Sequence, residues 1–583
     1  MRWLRFSKYL YKYRRLQAAV IGLGLLATPL GLVNPYLTKL VIDKAYGGKD
    51  IRLFFILAVI GGTAFVAGGL VNFLNQYLSK SLSKRVSFDM TRDFFRHIQY
   101  LPLSFHDERS TGENIYRLRS DVRTVSDFIC DAAGQMIKLV PHTLFIIIIV
   151  YRLNWRTAAL ASFLVPITYL QPYIFSRLQR KITLFNIQKA QAVSVRLHDV
   201  LSRIRLVKTM GREDHEIQRF EKGVKLDMDL ELKNLKLMQV SSLLGSILGK
   251  ITAGIITLYG GYMVIKGMMT LGSLTAAMIY VGQFVAQLGA LGALYQRIVV
   301  NSVARDRVIE IMDTKPDICD APDARPHLIK EGRIEIRDLC FRYKKDNLVL
   351  KGVTLFLAPA TKAALVGLSG SGKSSILSLI LRLYKKEKGE IYVDGVNIEK
   401  MMMESLRSQI GVALQKPLLW NDTIANNILY AASGEVSRGD VIEAAKLAGA
   451  HDFIAKLPDG YDSMIGENGC KLSGGEMQRI AIARSLIKRP RILILDEAMS
   501  SLDSGMEEKI IDNIFREFVD STIIIVSHRL SAVRRADSVY FLKDGAIAGE
   551  GSHRELFERD PAYRALFAAQ EGEAEPLAEI IKG

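Results

Sequence analysis

The stretch from Lys362 to Arg382 reads KAALVGLSGSGKSSILSLILR and joins an apolar strand pattern to an apolar helix pattern through a glycine-rich loop. Its residues 367–374 fit the pattern GxxxxGK[ST]. The glycines of such a loop let backbone N–H groups close around phosphate oxygens at the N-terminus of the following helix. The sequence therefore predicts a nucleotide-binding loop in an α/β domain.

Two side chains of this loop have distinct predicted roles. Lys373 is expected to reach the β and γ phosphates, and the Ser374 hydroxyl is expected to bind Mg²⁺. A glycine turn that binds no nucleotide is disfavoured, because the flanking strand and helix are both present. The remaining predicted phosphate contacts are Gly367, Ser369, Gly370, Ser371, Gly372 and Ser375.

A second apolar strand ends in two acids at 492–497, ILILDE. The C-terminal edge of a buried parallel strand is where α/β sheets carry their sites. We expect Asp496 to hold Mg²⁺, directly or through water, and Glu497 to polarise the attacking water as a general base. Alone, this pattern equally fits a solvated strand end, but its position downstream of a phosphate loop favours the catalytic interpretation.

Short apolar runs alternate with helical patterns throughout the second half of the chain. In order from residue 332 they are RIEIRDLCFRY, KAALVG, EIYVDG, IGVAL, ILILD, TIIIVS and VYFLKDG. Apolar strands bounded by Gly and Asp and separated by helices predict a largely parallel sheet covered on both faces.

The first half of the chain has a different pattern, because it contains six apolar stretches long enough to cross a bilayer, which takes about 20 residues. An even number of spans returns the chain to its starting side, and their basic flanks place that side in the cytoplasm. Prolines such as Pro29 and Pro141 interrupt some of them, which membrane helices tolerate. The predicted spans are 17–45, 52–78, 134–152, 156–176, 241–265 and 271–296.

The formal charge of +18 invites comparison with nucleic-acid-binding proteins. The Lys and Arg residues cluster beside apolar stretches, at 2–15, 80–96 and 177–181, and no aromatic-rich basic groove motif accompanies them. We therefore expect a membrane and no nucleic acid as partner. The cysteines have no metal-ligand spacing, so neither zinc nor a disulfide framework is indicated for Cys130, Cys319, Cys340 and Cys470.

These patterns divide the chain into four predicted segments. A membrane domain at 1–310 is followed by a linker at 311–331, a nucleotide-binding domain at 332–570 and a mobile acidic tail at 571–583. The basic, aromatic N-terminus runs into the first span without a cleavage site, so it is expected to be an interfacial helix.

A third motif, LSGGE followed by Gln478 and Arg479, resembles the signature of ATP-binding cassette (ABC) proteins. The motif consists of Leu472, Ser473, Gly474, Gly475 and Glu476. The family usually has Gln where this chain has Glu476. Other elements stand in the order of that family, namely Tyr343, Gln415 after IGVAL, Ser501-Leu502-Asp503 after Glu497, and His528 at the end of TIIIVS.

The resemblance implies a role for each element, although each alone has an ordinary structural explanation. Tyr343 would stack on adenine, Gln415 would meet Mg²⁺ or the attacking water, and His528 would hydrogen-bond the γ-phosphate. The implied Mg²⁺ set is Ser374, Gln415 and Asp496. In this family the signature contacts ATP held by the partner's loop, so a chain with one cassette is expected to work as a dimer.

The first half resembles the exporter-type membrane domain of ABC transporters. LPLSFHDERSTGENIYRLRSDV at 101–122 and the stretch around Val207, Gly211 and Phe220 look like that family's two cytoplasmic coupling regions. The regions are predicted at about 108–122 and 203–215, where short helices would dock on the cassettes. The implied fold is a six-helix ABC exporter type I membrane domain followed by an α/β P-loop ATPase domain.

The predicted function is ATP-driven export of an amphipathic lipid, peptide or drug-like compound by a homodimer. One half of a heterodimer and an ATP-gated channel or regulator stay open as alternatives. A soluble ABC ATPase acting on DNA or ribosomes would lack the membrane spans. Polar side chains inside the spans are costly and mark candidates for the substrate cavity: Lys138, His142, Lys250, Gln283 and Gln287.

Overall fold

The computed structural model describes residues 2–109, 111–343, 347–432, 434–466, 469 and 471–571, except for some helix side chains, most of them between 165 and 198. The chain forms two compact units, Met1–Tyr100 with Glu108–Lys315, and Leu101–Asp107 with Pro316–Gly583. Cys470 and the predicted tail beyond its first residue lie outside the described residues.

The first unit, called the membrane unit here, is helical in its described residues. It begins with a 3₁₀ helix, Arg2–Phe6, and has π-helical turns at Val41–Tyr46 and Arg117–Asp121. Its α-helices are α1 (Ser7–Lys12), α2 (Arg14–Leu40), α3 (Ile51–Gln99), α5 (Thr111–Tyr116), α6 (Val122–Leu153), α7 (Trp155–Ser202), α8 (Ile204–Thr209), α9 (Glu213–Ile265) and α10 (Leu271–Asp313), while α4 (Leu103–Glu108) begins in the second unit.

Five of the six predicted spans each lie within one of these long helices, and the span 17–45 runs from α2 into the π-helical turn Val41–Tyr46. Among the described residues, five stretches are long and apolar enough to cross a membrane: Arg14–Tyr46, Ile51–Gln99, Thr111–Leu153, Glu213–Ile265 and Leu271–Leu294. The other predicted span, 156–176, lies in α7, where many side chains are not described. Helix α3 has 49 residues, a length of roughly 70 Å against a hydrocarbon thickness of about 30 Å. The helices therefore continue well beyond the bilayer.

Short polar connections pair the long helices into three hairpins, α2 with α3, α6 with α7, and α9 with α10. Each connection ends in a residue whose side chain caps the next helix. Asp50 Oδ1 accepts from Arg52 N and Leu53 N at 3.0 Å, and Asn154 and Thr270 cap α7 and α10. The short connections therefore keep the two helices of one hairpin close together at this end.

Side-chain contacts also join the first hairpin to the third. Thr270 Oγ1 and Gly272 N donate to the Asp43 carboxylate at 2.6 and 2.8 Å. A Cβ added at Gly272 would lie 2.6 Å from Asp43 Cγ, so only glycine allows this approach. Deeper in the bundle, the fully buried Tyr280 donates its hydroxyl to Leu32 O at 2.5 Å. We call these contacts the α2–α10 latch.

The second unit, called the ATPase unit here, contains two sheets. Strands β1 (Ile334–Phe341), β2 (Leu350–Leu357), β4 (Lys388–Val393) and β5 (Val396–Asn397) form an antiparallel sheet in the order β2-β1-β4-β5. The six-stranded sheet has the order β10-β9-β3-β8-β7-β6 and contains β3 (Lys362–Val366), β6 (Ile410–Ala413), β7 (Ile492–Asp496), β8 (Thr522–Val526), β9 (Ser538–Lys543) and β10 (Ala546–Gly551).

The predicted parallel sheet is correct for β3, β6, β7, β8 and β9, which pair in parallel. It is wrong for the runs RIEIRDLCFRY and EIYVDG, which form β1 and β4 of the antiparallel sheet. No helix of the described residues lies between β1 and β2, and such direct connections suit antiparallel pairing. Every residue of β3, β7 and β8 is buried, as expected for strands covered on both faces.

Helices cover the sheets and complete the unit. They are α4, α11 (Lys373–Ile380), α12 (Met403–Ser408), α13 (Ile424–Leu429), α14 (Arg438–Leu447), α15 (His451–Ile454), α16 (Gly474–Leu486), α17 (Ser504–Glu517), α18 (Leu530–Val533), α19 (His553–Arg559) and α20 (Pro561–Glu571), with 3₁₀ turns at Ile398–Lys400 and Gly460–Asp462.

The predicted linker 311–331 divides between the two units. Residues up to 313 continue α10, and those from Pro316 belong to the ATPase unit. The buried Arg382 explains the second part, because it donates to Cys319 O at 3.1 Å and to Asp320 Oδ1 at 3.4 Å. Asp320 also accepts from Met403 N at 2.8 Å. Hydrogen bonds therefore attach the linker residues from Pro316 onward to the ATPase unit, and no local sequence pattern predicts these bonds.

Candidate functional site

The glycine-rich loop connects β3 to α11 at the carboxyl edge of the six-stranded sheet. Its backbone needs glycine twice: a Cβ at Gly367 would lie 2.3 Å from Leu542 O, and one at Gly372, where φ is +109°, would lie 2.5 Å from Leu350 Cδ2. Lys373 Nζ donates to Gly367 O at 2.6 Å and to Leu368 O at 3.0 Å, so it closes over the loop. Burial lowers the Lys373 pKa, which the charges of Glu497 and Asp496 oppose.

Oxygen ligands gather beside this loop. Asp496, at the end of β7, is 8% exposed, and its Oδ1 accepts from Ser374 Oγ at 3.3 Å. Burial raises the pKa of Asp496, while Ser374 and Lys373 lower it. A carboxylate and a hydroxyl are the hard oxygen ligands that Mg²⁺ prefers. Ser371 Oγ is buried without a hydrogen-bond partner among the described residues, so its hydroxyl is available to a phosphate oxygen.

Two of the three predicted catalytic side chains converge on the carboxylate of the third. Gln415 Nε2 donates to Glu497 Oε2 at 2.6 Å, and His528 Nε2 lies 3.3 Å from Glu497 Oε1. Burial and the nearby Lys373 lower the His528 pKa, and Glu497 opposes that shift. The parallel order β6-β7-β8 produces this convergence, because Gln415, Glu497 and His528 each follow the end of one of these neighbouring strands.

Tyr343 stands on the other side of the loop with half of its surface exposed. Its hydroxyl lies 3.0 Å from Ser375 Oγ, and its ring makes edge contacts with Phe341 and Tyr384 at centroid distances of 4.7 and 5.1 Å. A ring that is held by such contacts and is half exposed can stack on a purine.

The LSGGE motif begins α16. Ser473 is its N-cap and forms a capping box with Glu476, in which each side chain binds the other residue's backbone N–H. Gln and Glu serve equally in such a box, so the departure from LSGGQ leaves this helix start intact. Ser473 and Gly474 are exposed, and a helix N-terminus attracts anions.

Two family profiles match the chain. The ABC transporter transmembrane region matches residues 18–288, and the profile described as ABC transporter matches residues 350–500. An ATP-dependent lipid A-core flippase of Syntrophus aciditrophicus (strain SB) is 35% identical over 545 residues, 92% of this chain and 88% of that protein. The chain belongs to the ABC transporter family.

Two further proteins resemble this ABC transporter over nearly its whole length. A Staphylococcus aureus (strain NCTC 8325 / PS 47) protein, named for multidrug export as an ATP-binding/permease protein, is 33% identical, with 98% of this chain and 99% of that one covered. A solved structure of a bacterial Atm1-family ABC exporter with ATP bound has a TM-score of 0.87 and 28% identity, with 97% and 99% covered. The chain is accordingly a multi-pass membrane protein with an ATP-hydrolysing, cytoplasmic ATPase unit.

Two of the candidate cavity residues of this ABC transporter, Lys138 and Lys250, have different surroundings in the helical unit. The aliphatic part of the Lys138 side chain on α6 packs against Gly24 of α2, since a Cβ added at Gly24 would lie 3.0 Å from Lys138 Cε. The buried Asn75 of α3 lies close to the same position. Lys250 is exposed and lines a groove of about 370 Å³ between α9 and α10, together with Gly249 and Gly282. The two lysines therefore face different helix pairs.

The other three candidates are partly buried polar groups. His142 Nδ1 and Gln283 Oε1 are buried without a hydrogen-bond partner among the described residues, and Gln287 is half-buried. An unpaired polar atom at membrane depth is costly. Their grouping into a substrate cavity stays a prediction.

Sequence reasoning missed several residues of the ATPase unit. Tyr384 supports the Tyr343 ring and donates its hydroxyl to Asp107 Oδ2 at 2.5 Å. Arg529 donates to the backbone beside Ser501 and to the buried Glu507. Nothing local identifies Tyr384, but Arg529 directly follows His528, and that position is a signal that could have been used.

Proposed function

We propose that this protein is an exporter that couples ATP hydrolysis to outward movement of an amphipathic substrate, as a homodimer that alternates between inward-open and outward-open states. The observation that carries the proposal is the convergence of Gln415 and His528 on Glu497, next to the phosphate loop, in a chain with a multi-pass helical unit. The family relation supports transport of the exporter kind.

Each side chain of the site would have one task in hydrolysis. The loop amides and Lys373 would bind the phosphates, and Glu497 would accept a proton from the attacking water. Gln415 would orient that carboxylate through their hydrogen bond, and His528, kept neutral by its lowered pKa, would donate to the γ-phosphate. Ser374, Asp496 and Gln415 would hold Mg²⁺, which neutralises phosphate charge when bound.

The second copy of the chain would complete each ATP site. Ser473 and Gly474 are exposed at the N-terminus of α16, a position suited to a phosphate that another chain supplies. An isologous pair of identical chains would then hold two nucleotides. The chain itself carries Glu497 and His528, so neither site would depend on residues of a different partner chain.

The segment just before the predicted first coupling region would sense nucleotide. Leu101–Asp107 belongs to the ATPase unit, and Asp107 accepts from Tyr384, whose ring contacts Tyr343. Adenine stacked on Tyr343 would thus be linked through Tyr384 and Asp107 to a segment that follows α3 in the chain. We propose this path as one means by which ATP binding moves the helices.

The substrate we propose is an amphiphile with an anionic head. Lys138 and Lys250 lie on predicted membrane spans, and no carboxylate among the described residues forms an ion pair with either of them. Charged side chains within a membrane span usually face a protein interior or a water-filled cavity. Snorkelling of these lysines to the inner interface is the ordinary alternative.

Uphill transport tests this function directly. The protein is reconstituted into liposomes, ATP and Mg²⁺ are added on the ATPase side, and accumulation of fluorescent anionic, neutral and cationic amphiphiles is followed. We expect accumulation above the external concentration, abolished in Glu497→Gln. Flux that only equalises the concentrations would indicate an ATP-gated channel and would contradict export.

A further inference from the structure

Glu497 is held in an unusual backbone conformation. Its φ of +47° lies in the left-handed region, which residues other than glycine seldom adopt. Its N–H donates to Val526 O at 2.9 Å. Such a conformation is strained and persists only where the surrounding structure fixes it. The residues that fix the chain just after Glu497 therefore help to place its carboxylate.

Gln478 of α16 holds the next turn from one side. We call Ser500–Asp503 the 500–503 segment. Gln478 is 2% exposed; its Nε2 donates to Ser500 Oγ at 3.0 Å, and its Oε1 accepts from Ser501 N at 2.9 Å. Both ends of this buried amide are thus satisfied by the 500–503 segment. Removing them would leave a main-chain donor without its partner.

Arg529 holds the same segment from the other side. Its Nη2 donates to Ser500 O at 2.9 Å and its Nη1 to Leu502 O at 2.8 Å. Nη1 also donates at 2.6 Å to Glu507 Oε2, whose side chain is 1% exposed. A planar guanidinium with fixed donor directions sets the positions of its acceptors more tightly than an ammonium does. Arg529 is the neighbour of His528 in the chain.

The start of the signature helix also touches this segment. A Cβ at Gly475 would lie 3.2 Å from both Leu502 Cδ2 and Ser501 O. Ser473, at the N-cap of the same helix, is the residue expected to meet the partner's ATP. A displacement at Ser473 would therefore be carried by α16 and its Gln478 to the 500–503 segment.

We propose that Gln478 and Arg529 are positioning residues for hydrolysis. They hold the 500–503 segment. Contact of Ser473 with ATP in one site would thereby set the positions of Glu497 and His528, which serve the other site. This inference rests on the proposed function, because it needs the shared ATP sites. Both side chains bind the 500–503 segment and neither is among the predicted ATP contacts, so both would act on the rate of the chemical step and not on ATP affinity.

The test measures ATPase kinetics of the full-length protein in lipid. Gln478→Leu keeps the size of the buried side chain and removes both hydrogen bonds. We expect kcat to fall by at least about tenfold with the KM for ATP within about twofold, because small misplacements of reacting groups cost this much or more. Ser500→Ala should cost less, since the main-chain bond from Ser501 remains. Arg529→Lys should lower kcat in the same way, because an ammonium cannot reach all three acceptors.

Two controls separate positioning from folding. Ser521→Ala removes a buried hydroxyl that donates to Pro490 O at 2.8 Å elsewhere in the unit and should leave kcat unchanged. Glu507→Gln keeps an acceptor for Arg529 and should retain most activity. A smaller loss of kcat in Gln478→Leu, or a parallel loss of ATP binding, would overturn the inference. Glu497→Gln, measured alongside, reports on the proposed function separately.

Discussion

The two units of this protein place their polar side chains in different ways. In the ATPase unit, Gln415, Glu497 and His528 come from three strand ends and meet within 3.3 Å. In the membrane unit, Lys138 and Lys250 lie against different helix pairs. One chain's unit thus brings together these three proposed catalytic side chains, whereas a cavity that contained both lysines would need helices brought together by dimerisation or by a conformational change.

The largest effect should come from Glu497→Gln. The substitution keeps the shape of the side chain and removes the base, which is worth about 10²–10⁴ in rate. We expect hydrolysis to fall by at least about 10²-fold while ATP still binds, as measured by phosphate release and by nucleotide binding. Glu508→Gln, on the exposed face of α17, is the matched control and should be unchanged. Wild-type hydrolysis in Glu497→Gln would remove this carboxylate from the mechanism.

Lys373→Ala should act on binding instead. Its ammonium closes the loop through two carbonyls and would face the phosphates. A hydrogen bond to a charged group contributes about 1.5–3 kcal/mol, so the Kd for ATP should rise by at least about tenfold. Lys388→Ala removes an exposed lysine paired with Asp338 and should leave the Kd unchanged. An unchanged Kd in Lys373→Ala would exclude the assigned contact.

The α2–α10 latch offers a test within the membrane unit. Short connections prevent the two helices of one hairpin from separating. Opening of the helical bundle at this end must therefore separate different hairpins. The latch opposes this separation because it joins the first hairpin to the third. Hydrogen bonds between membrane helices contribute about 0.6–1.7 kcal/mol each. Asp43→Ala should therefore shift the population towards the open outer end by about fivefold, measured by spin-label distances between α2 and α10.

Asp50→Ala is the matched control for the latch, because Asp50 caps only its own helix. It should leave the distance distribution unchanged. Equal distributions in Asp43→Ala and the wild type would mean that the latch does not resist opening.

The smallest effects should come from the membrane lysines. Lys250→Ala and Lys138→Ala should reduce the transport rate of anionic amphiphiles by a few fold, which corresponds to about 1 kcal/mol. The transport rates of neutral and cationic amphiphiles should fall less. Basal ATPase activity should stay largely intact. Lys266→Ala, a lysine at the far end of α9, should show no charge preference. Equal losses for every substrate charge would contradict the anionic-head proposal.

The sequence indicated the grouping of Gln415, Glu497 and His528, whereas it indicated no grouping of the cavity candidates, for a physical reason. Parallel strands bring their carboxyl ends to one edge, so residues after β6, β7 and β8 had to be neighbours. Long apolar helices give no comparable rule, because a helix that is apolar all round does not reveal which face meets which neighbour. The direction of Lys138 towards Gly24 therefore required the structure.

Other features were hidden for related reasons. Strands β1 and β4, which pair antiparallel, are distant in sequence. The same is true of Arg382 and residues 319 and 320, to which it donates hydrogen bonds. Gln478 was visible next to the signature, but its bonds to Ser500 and Ser501 depend on how α16 packs. Contacts of this kind arise from tertiary structure and leave no local pattern.

The central claim is that two chains share each ATP site, and mixing two inactive variants tests it most directly. A dimer of one Lys373→Ala chain with one Ser473→Ala chain keeps one intact pairing of loop and signature. We predict that neither variant alone occludes ATP, and that the purified mixed dimer occludes about one ATP per dimer. If the loop and signature of one chain served the same site, no intact site would remain, and a complete absence of occlusion in the mixed dimer would contradict the shared arrangement.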